Sequence, residues 1–72
     1  MRLDKWLWAA RFFKTRSLAQ QAIAAGRVKL NDERVKRAHE VRVGDAIAVR
    51  EWRVHVRALS DRRGPAEEAR KL

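Results

Sequence analysis

RLDKWLWAARFFKTRSLAQQAIAAGRVKL, residues 2–30, is the stretch that decides the fold. Its first apolar residues recur at the three- and four-residue spacing of one helix face, at Leu3, Trp6, Leu7 and Ala10. Asp4 stands in the first turn, where the helix dipole favours a negative charge. We predict a first helix over residues 3–11, with Trp6 in the core. Trp8 lies on the other side of that helix, where it either packs or is open to stack on a flat ligand.

The second part of the stretch predicts another helix, over residues 16–25. Thr15 is placed to cap it, because a threonine oxygen can accept a hydrogen bond from a free N–H of the first turn. Ser17 with Gln20 is an alternative capping box. Gly26 can end the helix in the left-handed conformation that glycine adopts at little cost. We expect the buried stripe of this helix to be Leu18, Ala19, Ala22 and Ile23.

After Gly26 the apolar period changes from that of a helix to the two-residue period of a strand. Val28 and Leu30 begin the pattern, Asn31-Asp32 is a turn, and Val35 begins a returning strand. Val41 and Val43 lead to a second turn at Gly44-Asp45. Two further runs, around Ile47 and from Trp52 to Val56, should pair as a tight antiparallel hairpin.

These elements predict an α+β fold. Two short N-terminal helices pack on a small twisted antiparallel sheet of four to five strands, followed by a polar tail. We expect residues 1–59 to form one domain, because 72 residues leave no room for a second. Residues 60–72 are expected to be a frayed helix or disordered, because they have little to bury.

The charge balance indicates a polyanionic partner. Lys and Arg number 18 against 9 acidic residues, a formal charge of +9. Residues 1–37 hold ten cations and three anions, so +7 lies in that part and +2 in the rest. No acidic residue occurs between Lys5 and Asn31. We expect one basic face and one nearly neutral face.

Several kinds of site and location are not expected. There is no cysteine, and His39 and His55 have no neighbouring ligand cluster, so we predict no metal and no cofactor. Neither histidine has a partner for catalysis, and the chain is short for a substrate cleft, so we predict no enzyme and no small-molecule substrate. The apolar run Trp6 to Ala10 is too short for a signal peptide or a membrane span. We therefore expect a cytoplasmic protein without a membrane partner.

An ordered set of residues resembles the alpha-L RNA-binding motif, also called the S-four domain. The set comprises Arg2-Leu3-Asp4-Lys5, then Lys14 to Ser17 with Ala19, Gln20 and Ile23, then Gly26-Arg27-Val28, Asn31, Val35-Lys36, Val41 and Gly44-Asp45. It covers about Arg2 to Val49, most of the chain. Within that superfamily, residues 2–16 and the segment Asp61 to Ala66 are similar to the ribosome-associated heat-shock protein of fifteen kilodaltons.

The resemblance implies a partner and a role. Members of this group are understood to bind the large ribosomal subunit, particularly subunits that hold a nascent chain on transfer RNA after translation has aborted. It thus implies ribosomal RNA, and also transfer RNA, as ligands. Two departures stand out. Asp32 follows Asn31 where many such sequences have glycine, which allows a turn longer than two residues. Members also usually have a longer basic C-terminal extension.

The start of the second helix is suited to phosphate, because it offers free N–H groups and the positive end of the helix dipole beside Lys14 and Arg16. Together with the start of the first helix and the turn at Asn31, it is expected to line one groove edge. Asp4 is expected to hold a neighbouring arginine. The residues predicted to form the RNA site are Arg2, Asp4, Lys5, Arg11, Lys14, Thr15, Arg16, Ser17, Gln20, Arg27, Lys29, Asn31 and Lys36.

Other interpretations stay open at this point. Two short helices and a basic surface are also found in helix-turn-helix DNA-binding proteins. Alpha-L domains are often joined to RNA-modifying enzymes, so the chain can be the RNA-targeting part of one. A basic protein can also bind acidic proteins. The remaining arginines, Arg34, Arg42, Arg53, Arg57 and Arg70, are expected to be solvated surface.

Overall fold

The computed structural model describes residues 1–59. Two helices and a four-stranded antiparallel sheet enclose one core, as predicted from the sequence. The helices and strands are α1 Leu3–Ala9, α2 Arg16–Ala24, β1 Val28–Leu30, β2 Glu33–Arg34, β3 Ala46–Val49 and β4 Trp52–His55. The expected frayed or disordered tail, residues 60–72, lies outside the described residues.

The sheet has the order β2-β1-β3-β4, with every neighbouring pair antiparallel. β1 is therefore an inner strand although it is the first in the chain. Its alternate residues Val28 and Leu30 are buried, and Lys29 between them is exposed. Val28 pairs with Val49, which pairs in turn with Trp52, so these three residues form one row across the sheet.

α1 ends two residues earlier than predicted. Arg11 adopts a left-handed backbone, with φ of 67°, and its N–H donates to the carbonyl of Trp8. The N–H of Phe12 donates to the carbonyl of Leu7, which completes a Schellman ending. The chain thereby turns back, and the ring of Phe12 stacks on Trp6 with centroids 6.0 Å apart. An arginine rarely marks this ending, so the sequence pattern did not show it.

α2 begins as predicted, because the side-chain oxygen of Thr15 accepts a hydrogen bond of 3.1 Å from the N–H of Leu18. The alternative capping box is wrong, since the Gln20 side chain bonds to Asp4 instead. The helix ends at Gly26, whose φ of 76° is left-handed, as predicted. Leu18 was expected to be buried, but its side chain is 44% exposed. The residues of α2 that are fully buried in the core are Ala19 and Ile23.

The returning strand differs from the prediction. β2 is only Glu33–Arg34, and residues 35–45 form no strand apart from one bridge between Arg2 and Glu40. The turn before β2 is not lengthened: Asn31 and Asp32 make it alone, both with positive φ. Of the two valines assigned to this region, Val41 is buried and Val43 is 63% exposed.

The reason is that residues 37–41 pair with the start of α1 instead of the sheet. The N–H of Leu3 donates to the carbonyl of His39 at 2.8 Å, and that of Asp4 to the carbonyl of Arg37 at 3.3 Å. The N–H of Val41 donates to the carbonyl of Met1 at 2.8 Å. This segment therefore satisfies backbone groups that a helix start leaves without an internal partner.

The predicted hairpin of β3 and β4 is confirmed. Val49 pairs with Trp52, so the connecting loop is only Arg50-Glu51, and Arg50 has the positive φ that a tight hairpin requires. β4 ends at His55, one residue before the predicted end, but the N–H of Val56 still donates to the carbonyl of Asp45. Among residues 1–59, none of the helices is long and apolar enough to cross a membrane.

Candidate nucleic-acid interface

A buried carboxylate joins the two helices. The side chain of Asp4 has no exposed surface, and it accepts hydrogen bonds from both helices. Gln20 Nε2 donates at 2.8 Å, and the backbone N–H of Lys5 donates at 2.8 Å. The guanidinium groups of Arg2 and Arg16 donate at 3.1 Å and 3.4 Å. Two residues beside Asp4 in sequence and two from α2 thus meet on one carboxylate.

This environment keeps Asp4 ionised. Burial by itself raises the pKa of the Asp4 carboxyl, because it disfavours the charged form. The hydrogen bonds from Gln20 and from the Lys5 N–H, and the positive charges of Arg16 and Arg2, lower it further than burial raises it. The net result is a pKa below the ordinary aspartate value. Asp4 is therefore a permanent anion at neutral pH.

The outward faces of the two arginines remain available. The side chains of Arg2 and Arg16 are 43% and 40% exposed. Two guanidinium groups against one carboxylate leave a net positive charge. Each is held by its contact with Asp4, which reduces the entropy lost when it binds a ligand. Asp4 itself has no surface to offer to a nucleic acid, so it can contribute only through Arg2 and Arg16.

The starts of the two helices differ in what they offer. α1 has already donated the N–H groups of Leu3 and Asp4 to carbonyls of the 37–39 segment. At the start of α2, the side-chain oxygen of Thr15 accepts from the N–H of Leu18, and its backbone carbonyl accepts from that of Ala19. The N–H groups of Arg16 and Ser17 have no partner inside the helix. An anion can therefore bind at the start of α2, beside the exposed Lys14, but not at the start of α1.

The structure brings some predicted site residues together and separates others. Lys29 lies between the buried Val28 and Leu30, so its side chain is on the sheet face away from the core. Arg27 donates its N–H to Ala22 in the ending of α2, at the opposite end of that helix from Lys14. Arg27 and Lys29, both predicted as RNA-site residues, therefore lie apart from the start of α2.

The turn at Asn31 has a structural role. Its Oδ1 accepts from the N–H of Ala46 at 3.0 Å, and its own N–H donates to the Ala46 carbonyl at 2.7 Å. A surface groove of about 480 Å³ adjoins this turn. Its walls hold Glu33, Glu40 and Asp45, against one arginine, Arg42. These carboxylates disfavour phosphate in this groove, in contrast to the helix junction, where two arginines surround one buried carboxylate.

Two arginines have contacts that the sequence pattern did not indicate. Arg34, expected to be solvated, donates from its guanidinium to the carbonyl of Ala24 at 2.8 Å and so caps the end of α2. The guanidinium of Arg50 lies over the ring of Phe13, 4.8 Å from its centroid, in a cation–π contact. Each contact joins two different segments of the chain, and the spacing of residues within one segment does not predict contacts with another. Among the described residues, no group of three or more potential ligands could hold a metal ion.

Comparison with known proteins agrees with this geometry. The family model of the S4 domain matches residues 1–47, more than half of the chain. The chain belongs to the S4 domain family. The solved structure of heat shock protein 15 from Vibrio cholerae, described as trimeric, superposes on this S4 domain with a TM-score of 0.96 at 43% identity. The match covers 100% of this chain and 77% of that one. The resemblance noted from the sequence is confirmed.

Two curated relatives of this S4 domain bear on its role. The heat shock protein 15 homolog of Haemophilus influenzae is 47% identical over 76 residues, which is 100% of this chain and 58% of that protein. The RQC P-site tRNA stabilizing factor of Bacillus subtilis is 40% identical over 50 residues, or 69% of this chain and 58% of that protein. The chain thus spans little more than half the length of these relatives.

Proposed function

We propose that this chain binds structured ribosomal RNA on the large ribosomal subunit and acts there in the rescue of stalled ribosomes. The observation that supports this best is the pair of half-exposed arginines held by one buried carboxylate beside the start of α2. Arginine binds phosphate through two parallel N–H groups, and its fixed position favours that geometry. Lys14 and the N–H groups of Arg16 and Ser17 complete a surface for the sugar–phosphate backbone.

The names of the relatives support the ribosomal part of the proposal. One group is called heat shock protein 15 and another is called a P-site tRNA stabilizing factor. A transfer RNA held on the large subunit is therefore a second RNA ligand that we propose for this surface. A protein with these ligands works in the cytoplasm.

We propose that the chain acts by binding and not by catalysis. At the candidate surface, among residues 1–59, the acidic side chain is Asp4, and it is buried under Arg2 and Arg16 and cannot reach a substrate. The second half of the domain is a sheet, and α2 presents mainly alanine and glutamine, which does not favour a helix-turn-helix DNA-binding protein. An enzyme elsewhere in a longer protein would change the context of this domain but not its ligand.

Crosslinking in cells, followed by sequencing of the bound RNA, tests the proposal. The informative variant is Lys14→Glu, because Lys14 is exposed and lies outside the Asp4 cluster, so the fold is kept. Arg16→Glu is less suitable, since it would place a second carboxylate against Asp4. We expect the unchanged chain to recover large-subunit ribosomal RNA or transfer RNA, and Lys14→Glu to lose most of it.

Arg57→Glu is the matched control, because it makes the same change of charge at an exposed position after the end of β4. RNA recovery should be retained in this variant. Equal loss in both variants would show that net charge alone attracts RNA. Complexes that survive ribonuclease would indicate an acidic protein partner, and equal or tighter binding of duplex DNA than of an RNA stem–loop would favour a DNA-binding function.

A further inference from the structure

The indole of Trp52 is exposed although its neighbours in the same row are buried. Val28 and Val49 are 0% and 1% exposed, whereas Trp52, next in the row, is 62% exposed. The reason is position: β4 is an edge strand, and Trp52 is its first residue, beside the hairpin loop. The row therefore extends past the core, and the largest apolar side chain of the row ends in solvent.

A single exposed apolar residue is common on proteins, so exposure alone indicates no site. The surroundings of Trp52 distinguish it. Arg50 lies two residues before it in sequence and Arg53 one residue after it, and Glu51 is the one acidic residue between positions 46 and 57. Arg53 is 82% exposed, and its ion pair with Asp32, at 3.9 Å between two exposed side chains, holds it only weakly. Arg53 shares a row with Lys29, on the sheet face away from the core, so the cation on the side of Trp52 is Arg50 in the hairpin loop. An exposed aromatic face beside a basic loop favours a ligand with both flat rings and negative charge.

The hairpin loop also lies against the candidate RNA surface. The contact between Arg50 and the ring of Phe13 places the loop beside the segment that leads into α2. Phe13 immediately precedes Lys14, and Thr15 then caps the helix. A nucleic acid bound at the start of α2 can therefore continue toward Arg50 and Trp52 without leaving the positively charged surface.

We infer that Trp52 is a stacking site for one unpaired base of the bound RNA. This rests on the proposed RNA-binding function and extends it to a second type of contact. Every base has a flat aromatic face, so an indole can stack on it whatever the sequence. Arg50, in the loop that precedes Trp52, lies where it can contact a phosphate next to that nucleotide. The ligand class is thus a single-stranded nucleotide that adjoins a stem bound at the helix junction.

Two RNAs with the same number of phosphates test the inference: a stem–loop with a single-stranded overhang and a blunt duplex. Trp52→Ala should weaken binding to the overhang RNA by on the order of tenfold, the usual loss for one stacked base. The affinity of Trp52→Ala for the blunt duplex should equal that of the unchanged chain. The salt dependence of its RNA affinity should also be the same, because no phosphate contact is removed. Trp52→Phe should retain most of the affinity, because it keeps an aromatic face.

Tryptophan fluorescence gives a direct measurement. The overhang RNA should quench an emission component that is absent in Trp52→Phe. Val43→Ala is the matched control for affinity, since Val43 is also exposed, at 63%, but has no aromatic face. It should bind the overhang RNA as the unchanged chain does.

Equal affinity of the unchanged chain and Trp52→Ala for the overhang RNA overturns this inference but leaves the proposed function standing. Self-association that Trp52→Ala abolishes, with RNA binding unchanged, assigns the residue to a protein interface. No RNA binding by the unchanged chain overturns both the inference and the proposed function.

Discussion

Gln20 on α2 donates a hydrogen bond of 2.8 Å from its side-chain amide to the buried carboxylate of Asp4 on α1. The same carboxylate accepts from Arg2 and Arg16, so one anion both joins the helices and orients two cations. We therefore expect stability and nucleic-acid binding to be coupled at this residue. A change of Asp4 should affect both properties, whereas a change of Lys14 should affect binding alone.

Asp4→Asn should lower the free energy of unfolding by about 1 to 3 kcal/mol, the cost of leaving buried polar groups without partners. The variant keeps the size of the side chain but turns one acceptor into a donor that faces other donors. Urea unfolding measures the effect. Asp32→Asn is the control, because its side chain is 79% exposed and its ion pair is long, so it should change stability by less than about 0.5 kcal/mol. Equal effects of the two variants would contradict the role given to Asp4.

The stability of the protein should fall in acid because of Asp4. Its pKa is lower in the folded protein than in the unfolded chain, so its ionised form stabilises the fold above about pH 4, the ordinary aspartate pKa. That contribution is lost as the pH falls below about 4 toward the lowered pKa. Unfolding curves should show a constant difference between the unchanged chain and Asp4→Asn near neutral pH, and a shrinking one in acid. A difference that grows in acid would contradict this.

Trp6→Phe should destabilise the fold by about 2 to 4 kcal/mol. Trp6 is 1% exposed, stacks on Phe12, and donates from Nε1 to the carbonyl of Ala58 at 3.2 Å. The smaller ring leaves a cavity and an unpaired carbonyl. Thermal or urea unfolding measures the loss, and Trp52→Phe, at an exposed position, should cost less than about 0.5 kcal/mol. Similar costs at the two positions would show that Trp6 is not part of the core.

Gly26→Ala should cost about 1 to 2 kcal/mol, because φ of 76° is unfavourable for a residue with a Cβ. Gly26→Asn should cost less, since asparagine tolerates the left-handed region. An added Cβ would lie 3.4 Å from Nε of Arg34, an ordinary contact, so backbone strain and not a clash sets the cost. Urea unfolding of both variants measures which substitution lowers the free energy of unfolding more. A larger cost for asparagine would indicate that side-chain volume decides.

The affinity for single-stranded RNA should depend strongly on salt. If about six phosphates are contacted, the logarithm of the binding constant should fall against the logarithm of salt concentration with a slope near −4. Lys14→Glu should reduce the magnitude of that slope by about 0.7, the share of one phosphate contact. Titrations at several salt concentrations measure it, with Arg57→Glu as the variant that leaves the slope unchanged. A slope near zero for the unchanged chain would exclude a phosphate-based site.

Local patterns predicted much of the fold because they report local physics. Thr15 caps α2 and Gly26 ends it, since each acts on backbone groups a few residues away. The hairpin at Arg50-Glu51 follows from two alternating runs with a short gap. The predictions that were wrong concern features that such local patterns do not report. Arg11 ends α1 in a conformation usually marked by glycine, and residues 37–41 bond to the start of α1 rather than to a strand.

The sequence by itself predicted a polyanionic ligand, because charge is a sum over residues: an acid-free run from Lys5 to Asn31 is basic in any fold. Only the tertiary structure decided which cations act together. Packing of the helices placed Arg2 and Arg16 on one carboxylate, and strand pairing turned Lys29 to the other face of the sheet. Hydrogen bonds and ion pairs act over a few ångströms, so they depend on which distant segments meet.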